Sequence, residues 1–291
     1  MTISSSACLV EEELAALRPF LANQLHTTGV DLPLLPVVAH QVLLLSGDPN
    51  ADSSKLAALI QQDQTLAGQI LRIANSPAYA PRSPIVSLQQ AIAWLGLNML
   101  AGLAFSVSVQ TGVFKTKGYE KEVRGLWRQA LASGLYGKEI ARRIRHNVEN
   151  AFLCGLLHLI GKPAILHLAS QYPPLAGSHH SWAVMEKLFD EFHIQAGMAL
   201  GDSWKLPDPV KEAIRYFPDH LYHQATSPTK GTIITCLADH LASHALGTSD
   251  LKEEALRNLQ VVRDLNFYPE DMAALLELKE PIRHNVECFV L

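Results

Sequence analysis

The chain carries an almost entirely apolar stretch at residues 152–168, FLCGLLHLIGKPAILHL, with His158 in the middle of a helical run. A single histidine on an apolar helix is more often a hydrogen-bonded core residue than a metal ligand. The chain has 13 histidines, so abundance alone does not identify a ligand. The role of His158 therefore depends on which other side chains the fold groups with it.

The composition is that of a globular protein with a large core. Of 291 residues, 48% are hydrophobic and 18% are charged, and the net charge is −4. This charge gives no overall field that would gather nucleic acid or anionic lipid. Positive charge is concentrated locally in the helical segment KEIARRIRH, residues 138–146. We interpret this segment as a solvated helix face, with a phosphate-binding surface as the alternative.

Cysteine use and the N-terminal sequence indicate a cytoplasmic protein that does not enter a membrane. The four cysteines form no CxxC pair, which disfavours zinc knuckles and redox motifs. The first residues, MTISSSACLVEEELAAL, lack the basic region of a signal peptide. The apolar run at 99–109 is shorter than the ~20 residues that a membrane-spanning helix needs.

Helix signals occur along the whole chain, whereas alternating strand patterns are nearly absent. In SLQQAIAWLG, residues 87–96, Ser87 and Gln90 form a capping-box pattern and Gly96 is a stop signal. Asp63 is a predicted N-cap for the helix that follows it. The sequence therefore predicts an all-α fold.

Proline-rich and polar segments divide the helices into groups. The connector TGVFKTKGYEKE, residues 111–122, is the best candidate boundary. We expect an N-terminal helical lobe over residues 1–115, a second helical lobe over 116–250 and a C-terminal helical extension over 251–291. His179 and His180 fall in a polar loop and are predicted to lie on the surface.

Several segments, taken in order, resemble a known superfamily. These are AFLCGLLHLIGK (151–162), FDEFHIQAGMALGDSWKLPDPVKEAIRYF (189–217) and IITCLADHLA (233–242), which resemble the HD superfamily of helical metal-dependent phosphohydrolases. The front half is similar to the HDOD family, the HD-related output domains of bacterial signal transduction, through LPLLPVVAHQVLLL (32–45), LAALIQQDQTLAGQILRIANSPAY (56–79) and SLQQAIAWLGLNML (87–100). The resemblance covers about residues 30–245 and implies two packed helical lobes, the second like an HD domain.

The resemblance implies a metal site from which donors have been lost. A working HD hydrolase uses a first histidine, an adjacent His-Asp pair and a later aspartate. Here Gln129 or a neighbour stands at the first position, the pair reads His158-Leu159, and Phe217-Pro218 replaces a His-His pair. The matching residues that remain are His158, His193 and Asp239.

Those three residues are predicted to be a vestigial metal site that holds no metal, so no cofactor is expected. Three ligands and a water suffice for one zinc ion, so a single weakly bound divalent cation is the alternative. A two-metal site for attack on a phosphate ester needs more donors than remain. His158 is therefore interpreted as a polar residue of a helical core.

The function that the resemblance implies is regulatory signalling without catalysis, through a signalling protein partner or a small ligand. Asn75 and Ser76 are tentative binding residues, although a structural role at a helix end is the first reading. The enzyme alternative is a phosphohydrolase acting on nucleotides or cyclic dinucleotides, with His220 as a further donor. Nucleic-acid binding through Arg142, Arg143 and Arg145 is a third alternative. The oligomeric state stays open.

Overall fold

The described helices follow one another through short connections. The computed structural model describes residues 2–26, 32–46, 53–76, 79, 81–110, 114, 116, 118–174, 179–218 and 230–289. The helices in these ranges are α1 (Thr2–His26), α2 (Val37–Ser46), α3 (Ser53–Gln61), α4 (Gln64–Ala74), α5 (Leu88–Leu95), α6 (Leu97–Gln110), α7 (Glu120–Arg143), α8 (Val148–Leu157), α9 (Gly161–Ala169), α10 (Trp182–Ser203), α11 (Asp208–Tyr216), α12 (Lys230–Leu246), α13 (Glu253–Arg257), α14 (Gln260–Asp264), α15 (Pro269–Leu276) and α16 (Lys279–Phe289). No strand occurs within these ranges, so the prediction of an all-α fold is confirmed.

Four helices, α4, α5, α8 and α10, begin at a side chain that accepts from free backbone N–H groups of the first turn. Asp63 accepts from Leu66 N at 3.0 Å at the start of α4. Ser87 accepts from Gln90 N at 3.2 Å at the start of α5, and Gly96, with φ +87°, ends that helix. The capping box is shifted by one residue, because the Gln90 side chain accepts from Val86 N rather than from Ser87 N.

Two lobes are packed together. Helices α2 to α6 contact one another and form the first lobe, while α7 to α12 form the second lobe, in which α8 and α12 pack along α7. The C-terminal helices add to the second lobe through contacts of α16 with α7 and α12. The lobes meet where α6 contacts α8. There the Phe152 ring occupies the space that a side chain at Gly102 would need.

The N-terminal helix α1 packs against α9 and α10 of the second lobe. It buries Leu14, Leu17 and Leu21 completely, with Leu25 nearly so, at the three- and four-residue spacing of one helix face. The sequence boundaries at 115/116 and 250/251 stay predictions. The placement of α1 nevertheless differs from an N-terminal lobe made of residues 1–115 alone.

The quoted apolar stretch forms the core of the second lobe. The span Val148–Ala169 is long and apolar enough by composition to cross a membrane, but 94% of its most apolar window is buried inside the protein. A short turn at His158–Ile160 separates α8 from α9. This turn brings His158 to the end of α8, facing α12.

Candidate functional site

The His158 side chain lies at the C-terminal end of α8 and is fully buried. Its Nδ1 donates to the Gly155 carbonyl at 2.7 Å, and its Nε2 lies 3.1 Å from Asp239 Oδ1 on α12. A carbonyl and an ionised carboxylate can only accept. Both contacts are therefore complete hydrogen bonds when each ring nitrogen carries a proton.

Asp239 is the centre of a hydrogen-bond network between α7, α8 and α12. Besides the His158 contact, Oδ1 accepts from Gln129 Nε2 at 2.7 Å and from Ser133 Oγ at 3.3 Å. The same Gln129 amide nitrogen lies 2.8 Å from Ser243 Oγ and 3.1 Å from the Asp239 carbonyl. Burial alone would raise the pKa of the Asp239 carboxyl, but the hydrogen bonds from His158 and Gln129 outweigh burial and hold that pKa below its usual range.

The structure sets His193 apart from the His158–Asp239 pair. Its Nδ1 donates to the Phe189 carbonyl at 2.5 Å, and among the described residues its buried Nε2 has no hydrogen-bond partner. The Phe217 ring packs edge-on against both imidazoles, with ring centroids 4.6 Å from His158 and 5.9 Å from His193. Burial lowers the pKa of His193, and the charge of Lys162 adds to that effect.

The backbone of His193 is fixed by close helix packing. A Cβ atom at Gly161 would overlap the His193 carbonyl oxygen and come within 2.8 Å of Gly197 N. The first turn of α9 and the middle of α10 are therefore in backbone contact. This contact depends on glycine and requires no metal.

Leu159, where the resemblance would place an aspartate, lies in apolar surroundings and is buried. It lines a small apolar pocket, of about 200 Å³ with its open mouth included, between α7 and the α8–α9 turn. The residues that line this pocket are Leu126, Trp127, Ala130, Leu156, Leu159, Ile160 and Pro163. None of these side chains can serve as a ligand to a bound cation.

The residues present do not fit the divalent metals of an HD hydrolase. Of the three predicted ligands, only His158 and Asp239 are in contact, and the Gln129 side chain approaches this pair with its amide N–H rather than its oxygen. His220 lies outside the described residues. In the part of the chain that the structure describes, no three His, Cys, Asp or Glu side chains are grouped to hold a metal ion. Whether any metal binds stays a prediction.

Sequence reasoning missed the two serines of the network, Ser133 and Ser243. A signal was present, because Ser133 follows Gln129 by four residues and Ser243 follows Asp239 by four. Residues at this spacing share one helix face. Polar pairs that lie on the buried faces of two neighbouring helices are typical of a shared buried network.

The tentative binding residues lie at the C-terminal end of α4 in the first lobe. The Asn75 Nδ2 donates to the Leu71 and Ile85 carbonyls, each at 2.8 Å, and Oδ1 accepts from Ile85 N at 2.8 Å. This amide therefore joins the helix end to the following loop. The Ser76 hydroxyl is buried without a hydrogen-bond partner. A binding role for the two residues stays a prediction.

The basic segment on α7 makes contacts within the protein. Arg142 pairs with Glu139 at 2.6 Å, and Arg143 donates to the Glu139 carbonyl at 3.1 Å. The Lys138 ammonium lies 5.7 Å from the centre of the Tyr79 ring, and burial lowers its pKa. These contacts reduce the charge that this face offers to a phosphate backbone.

The expectation that His179 and His180 lie on the surface is wrong for His180. This side chain is 2% exposed, because it packs beneath α1. A polar loop composition predicts exposure, and only the tertiary packing of α1 overrides it.

Comparison with known proteins supports the fold. A family model described as the HDOD domain matches residues 32–219. An uncharacterised protein of Treponema pallidum (strain Nichols) is 26% identical over 197 residues, which make up 64% of this chain and 37% of that protein. The match thus covers little more than a third of that relative's length.

Three solved structures resemble the chain over nearly its whole length. An HDOD domain protein of unknown function from Geobacter sulfurreducens has a TM-score of 0.69 and 24% identity, covering 97% of this chain and 100% of that one. A provisionally named metal-dependent phosphohydrolase from Shewanella amazonensis SB2B has a TM-score of 0.72 and 20% identity, covering 94% and 99%. A provisionally named signal transduction protein from Marinobacter aquaeolei VT8 has a TM-score of 0.60 and 21% identity, covering 96% and 67%.

These likenesses confirm the predicted architecture of two helical lobes, the second like an HD domain. The family model covers well over half of the chain, and its range lies inside residues 30–245, over which the sequence resemblance extends. The chain belongs to the HDOD domain family.

Proposed function

We propose that this protein is a regulatory signalling module without hydrolase activity, which acts by binding a partner protein or a small ligand. The observation that carries the proposal is the hydrogen-bond network around Asp239. The side chains of His158, Gln129 and Ser133 all lie within hydrogen-bond distance of Asp239 Oδ1. A metal at that position would have to displace them.

The surroundings of the network support the same conclusion. A hydrolytic metal site needs anionic or imidazole ligands and an open position for water. Here Leu159 supplies an apolar side chain and the Phe217 ring packs against His158 and His193. These surroundings support the proposal that the chain keeps the fold of an HD domain without the chemistry of a hydrolase site.

The family and one structural relative point toward signalling. The Marinobacter protein carries a provisional signal-transduction name and shares the fold. A fold alone does not fix a function, so this likeness supports the proposal without deciding it.

We also propose a cytoplasmic location. Cys154 and Cys236 are buried and form no disulfide bond, as expected in a reducing compartment. The side chains of Cys8 and Cys288 lie outside the described part of the chain.

The test combines metal analysis with an activity assay. Protein purified without chelators is analysed for bound metals and is then incubated with Mn²⁺ and with phosphodiester, nucleotide and cyclic dinucleotide substrates. We expect neither stoichiometric metal nor metal-dependent turnover. Mn²⁺-dependent turnover that disappears in His158→Ala would overturn the proposal.

A second candidate function, metal-dependent phosphohydrolysis, is favoured by one observation. His158 and Asp239 remain in contact across two helices, as two ligands of one ion would be. In that case His193 and His220 have to supply further donors. The turnover assay above separates the two functions. Metal-dependent hydrolysis would disappear in Asp239→Asn and persist in Lys205→Gln, the surface control.

A further inference from the structure

Lys138 on α7 is a partly buried cation that has no ion-pair partner among the described residues. Its ammonium lies 5.7 Å from the centre of the ring of Tyr79, a first-lobe residue between α4 and α5. The neighbouring carboxylate, Glu139, is engaged by Arg142 at 2.6 Å. Burial lowers the pKa of Lys138, and the charge of Arg142 adds to that effect. A partly buried ammonium without a carboxylate is costly, so this position favours a bound anion.

Trp94 and Val86 place exposed apolar surface on one side of α5. Trp94 is 48% exposed, and its Nε1 donates to the Tyr79 carbonyl at 3.0 Å. The Lys138 ammonium and the Trp94 indole therefore contact the same residue of the loop. Val86 is 74% exposed, and its N–H donates to the Gln90 side chain at 2.8 Å. Since Gln90 and Trp94 are four residues apart on α5, Val86 and these two side chains lie in one row.

Hydrogen bonds hold together the two ends of the loop between α4 and α5. Asn75 Nδ2 donates to the Ile85 carbonyl and Asn75 Oδ1 accepts from Ile85 N, each at 2.8 Å. The Tyr79 N–H donates to the Ser76 carbonyl at 3.0 Å. The Ser76 hydroxyl, in the same turn, is buried and has no hydrogen-bond partner among the described residues. Tyr79 is therefore held in place before a ligand arrives, which lowers the entropic cost of binding.

The sequence around this surface carries no acidic residue. Residues 64–119, which include α4, α5 and α6, contain no Asp or Glu, whereas the whole chain contains 28. The same stretch has four basic residues, Arg72, Arg82, Lys115 and Lys117. This part of the first lobe therefore attracts anions although the net charge of the chain is −4.

We propose that Lys138, Trp94 and Val86 form a docking surface for an acidic segment of a partner protein. A carboxylate of that segment binds the Lys138 ammonium, and a neighbouring apolar side chain packs on the Trp94 indole. This inference rests on the proposed function, because it names the chemistry of the partner that the regulatory module binds. The ammonium belongs to the second lobe and the indole to the first, so the bound segment contacts both lobes.

The charges at this place favour a peptide over a nucleic acid or a membrane. Arg142 and Arg143 are engaged by the carboxylate and the carbonyl of Glu139. Within residues 138–143, Lys138 is therefore the cation that the described residues leave unpaired. A nucleic acid needs a row of cations along its phosphates, and a membrane surface needs a broad basic and apolar helix face. A single carboxylate next to an apolar side chain matches one ammonium next to an indole.

The test selects peptide ligands without assuming their sequence. Random peptides of about twelve residues, displayed on phage, are selected on the full chain and counter-selected on the Lys138→Gln chain. We expect the recovered peptides to carry an Asp or Glu beside an aromatic or aliphatic residue. Recovered peptides without acidic residues, or no enrichment over the Lys138→Gln chain, would overturn the proposal.

Matched variants measure the contribution of each side chain by fluorescence anisotropy with the most enriched peptide. Lys138→Gln and Trp94→Ala should each weaken binding about tenfold or more, as for a lost charge-assisted contact or aromatic anchor. Lys138→Arg should restore most of the binding. Lys55→Gln and Tyr268→Ala, at exposed positions on other helices or beside them, should leave it unchanged. Equal losses in these controls would contradict the proposal.

Circular dichroism shows whether each variant folds. If Lys138→Gln does not fold, Trp94→Ala, at an exposed position, takes its place in both the selection and the affinity measurement.

Other ligands of the same surface are tested directly. Vesicles containing phosphatidylserine and a single-stranded oligonucleotide are offered to the unaltered chain and to the Lys138→Gln chain. Binding of either one that depends on Lys138 would assign the surface to lipid or nucleic acid and overturn the proposal, as would a dimer of the chain that depends on Lys138. Metal-dependent turnover would overturn the proposed function whatever peptides are recovered, whereas a failed selection without turnover removes only this docking surface.

Discussion

The molecule contains two imidazole–carboxylate contacts with a buried imidazole, 3.1 Å for His158–Asp239 and 2.6 Å for His180–Glu13, and their settings differ. The His158–Asp239 pair lies among α7, α8 and α12, and two further side chains donate to its carboxylate. The His180–Glu13 pair joins α1 to the end of α9, and backbone carbonyls complete its imidazole. The first occupies positions at which HD hydrolases carry metal ligands, whereas the second lies outside that pattern. The difference shows that one kind of interaction can join three helices of the second lobe in one place and attach the N-terminal helix in another.

The largest expected effect is the loss of the Asp239 carboxylate. Asp239→Ala leaves the fully buried His158 imidazole without its acceptor and Gln129 without its strongest contact, so we expect the free energy of unfolding to fall by about 3 kcal/mol. Urea unfolding measures it. Asp202→Ala, which breaks an exposed pair with Lys211, is the matched control and should have little effect. An equal loss in both variants would remove the distinction between buried and surface pairs.

For the second pair, His180–Glu13, we expect a smaller loss in the free energy of unfolding, because the substitution is milder. Glu13→Gln keeps an oxygen that accepts from His180 but removes the charge, and we expect a loss of about 2 kcal/mol in urea unfolding near neutral pH. Glu11→Gln should leave the midpoint nearly unchanged. A loss in Glu13→Gln larger than that in Asp239→Ala would reverse the order of the two pairs.

The Gln129 amide makes the shortest side-chain contact with the Asp239 carboxylate, at 2.7 Å. Gln129→Leu removes its hydrogen bonds to Asp239 and Ser243, and we expect a loss of about 1 to 1.5 kcal/mol in the free energy of unfolding. Gln129→Glu is the informative counterpart, because it places a second carboxylate beside Asp239. That variant should be less stable than Gln129→Leu in the same urea titration, and equal stability would argue against a tightly packed network.

The smallest effect concerns the longest contact of the network. Ser133 Oγ lies 3.3 Å from Asp239 Oδ1, and Ser133→Ala should cost about 0.5 kcal/mol or less. Thermal unfolding followed by circular dichroism can detect this if replicates agree closely. A loss as large as that of Gln129→Leu would mean that Ser133 is a principal donor to the carboxylate.

Much of the fold followed from local signals in the sequence. The predicted Asp63 cap precedes α4, and the Ser87 cap and Gly96 stop delimit α5. Caps and periodicity act within a few residues, so a single chain displays them directly. The proximity of His158 and Asp239 followed from the family resemblance rather than from their spacing.

The remaining features depended on contacts between distant residues. Glu13 and His180 are 167 positions apart, and nothing in either neighbourhood indicates the other. The polar loop around His180 predicted exposure because loop composition reports the usual environment of loops, not a helix that packs over this one. The role of Gln129 also depended on side-chain orientation, since the same amide offers an oxygen to a metal or an N–H to a carboxylate.

The backbone contact of Gly161 with His193 bears on how such sequences are classified. No side chain fits at Gly161 while α9 touches α10, so steric exclusion alone keeps this part of the pattern whether or not a reaction takes place. A motif search that scores Gly161 and Gly197 as signs of hydrolysis counts residues that the helix packing requires. These glycines therefore report on the fold, and only side chains that can bind a metal would report on turnover.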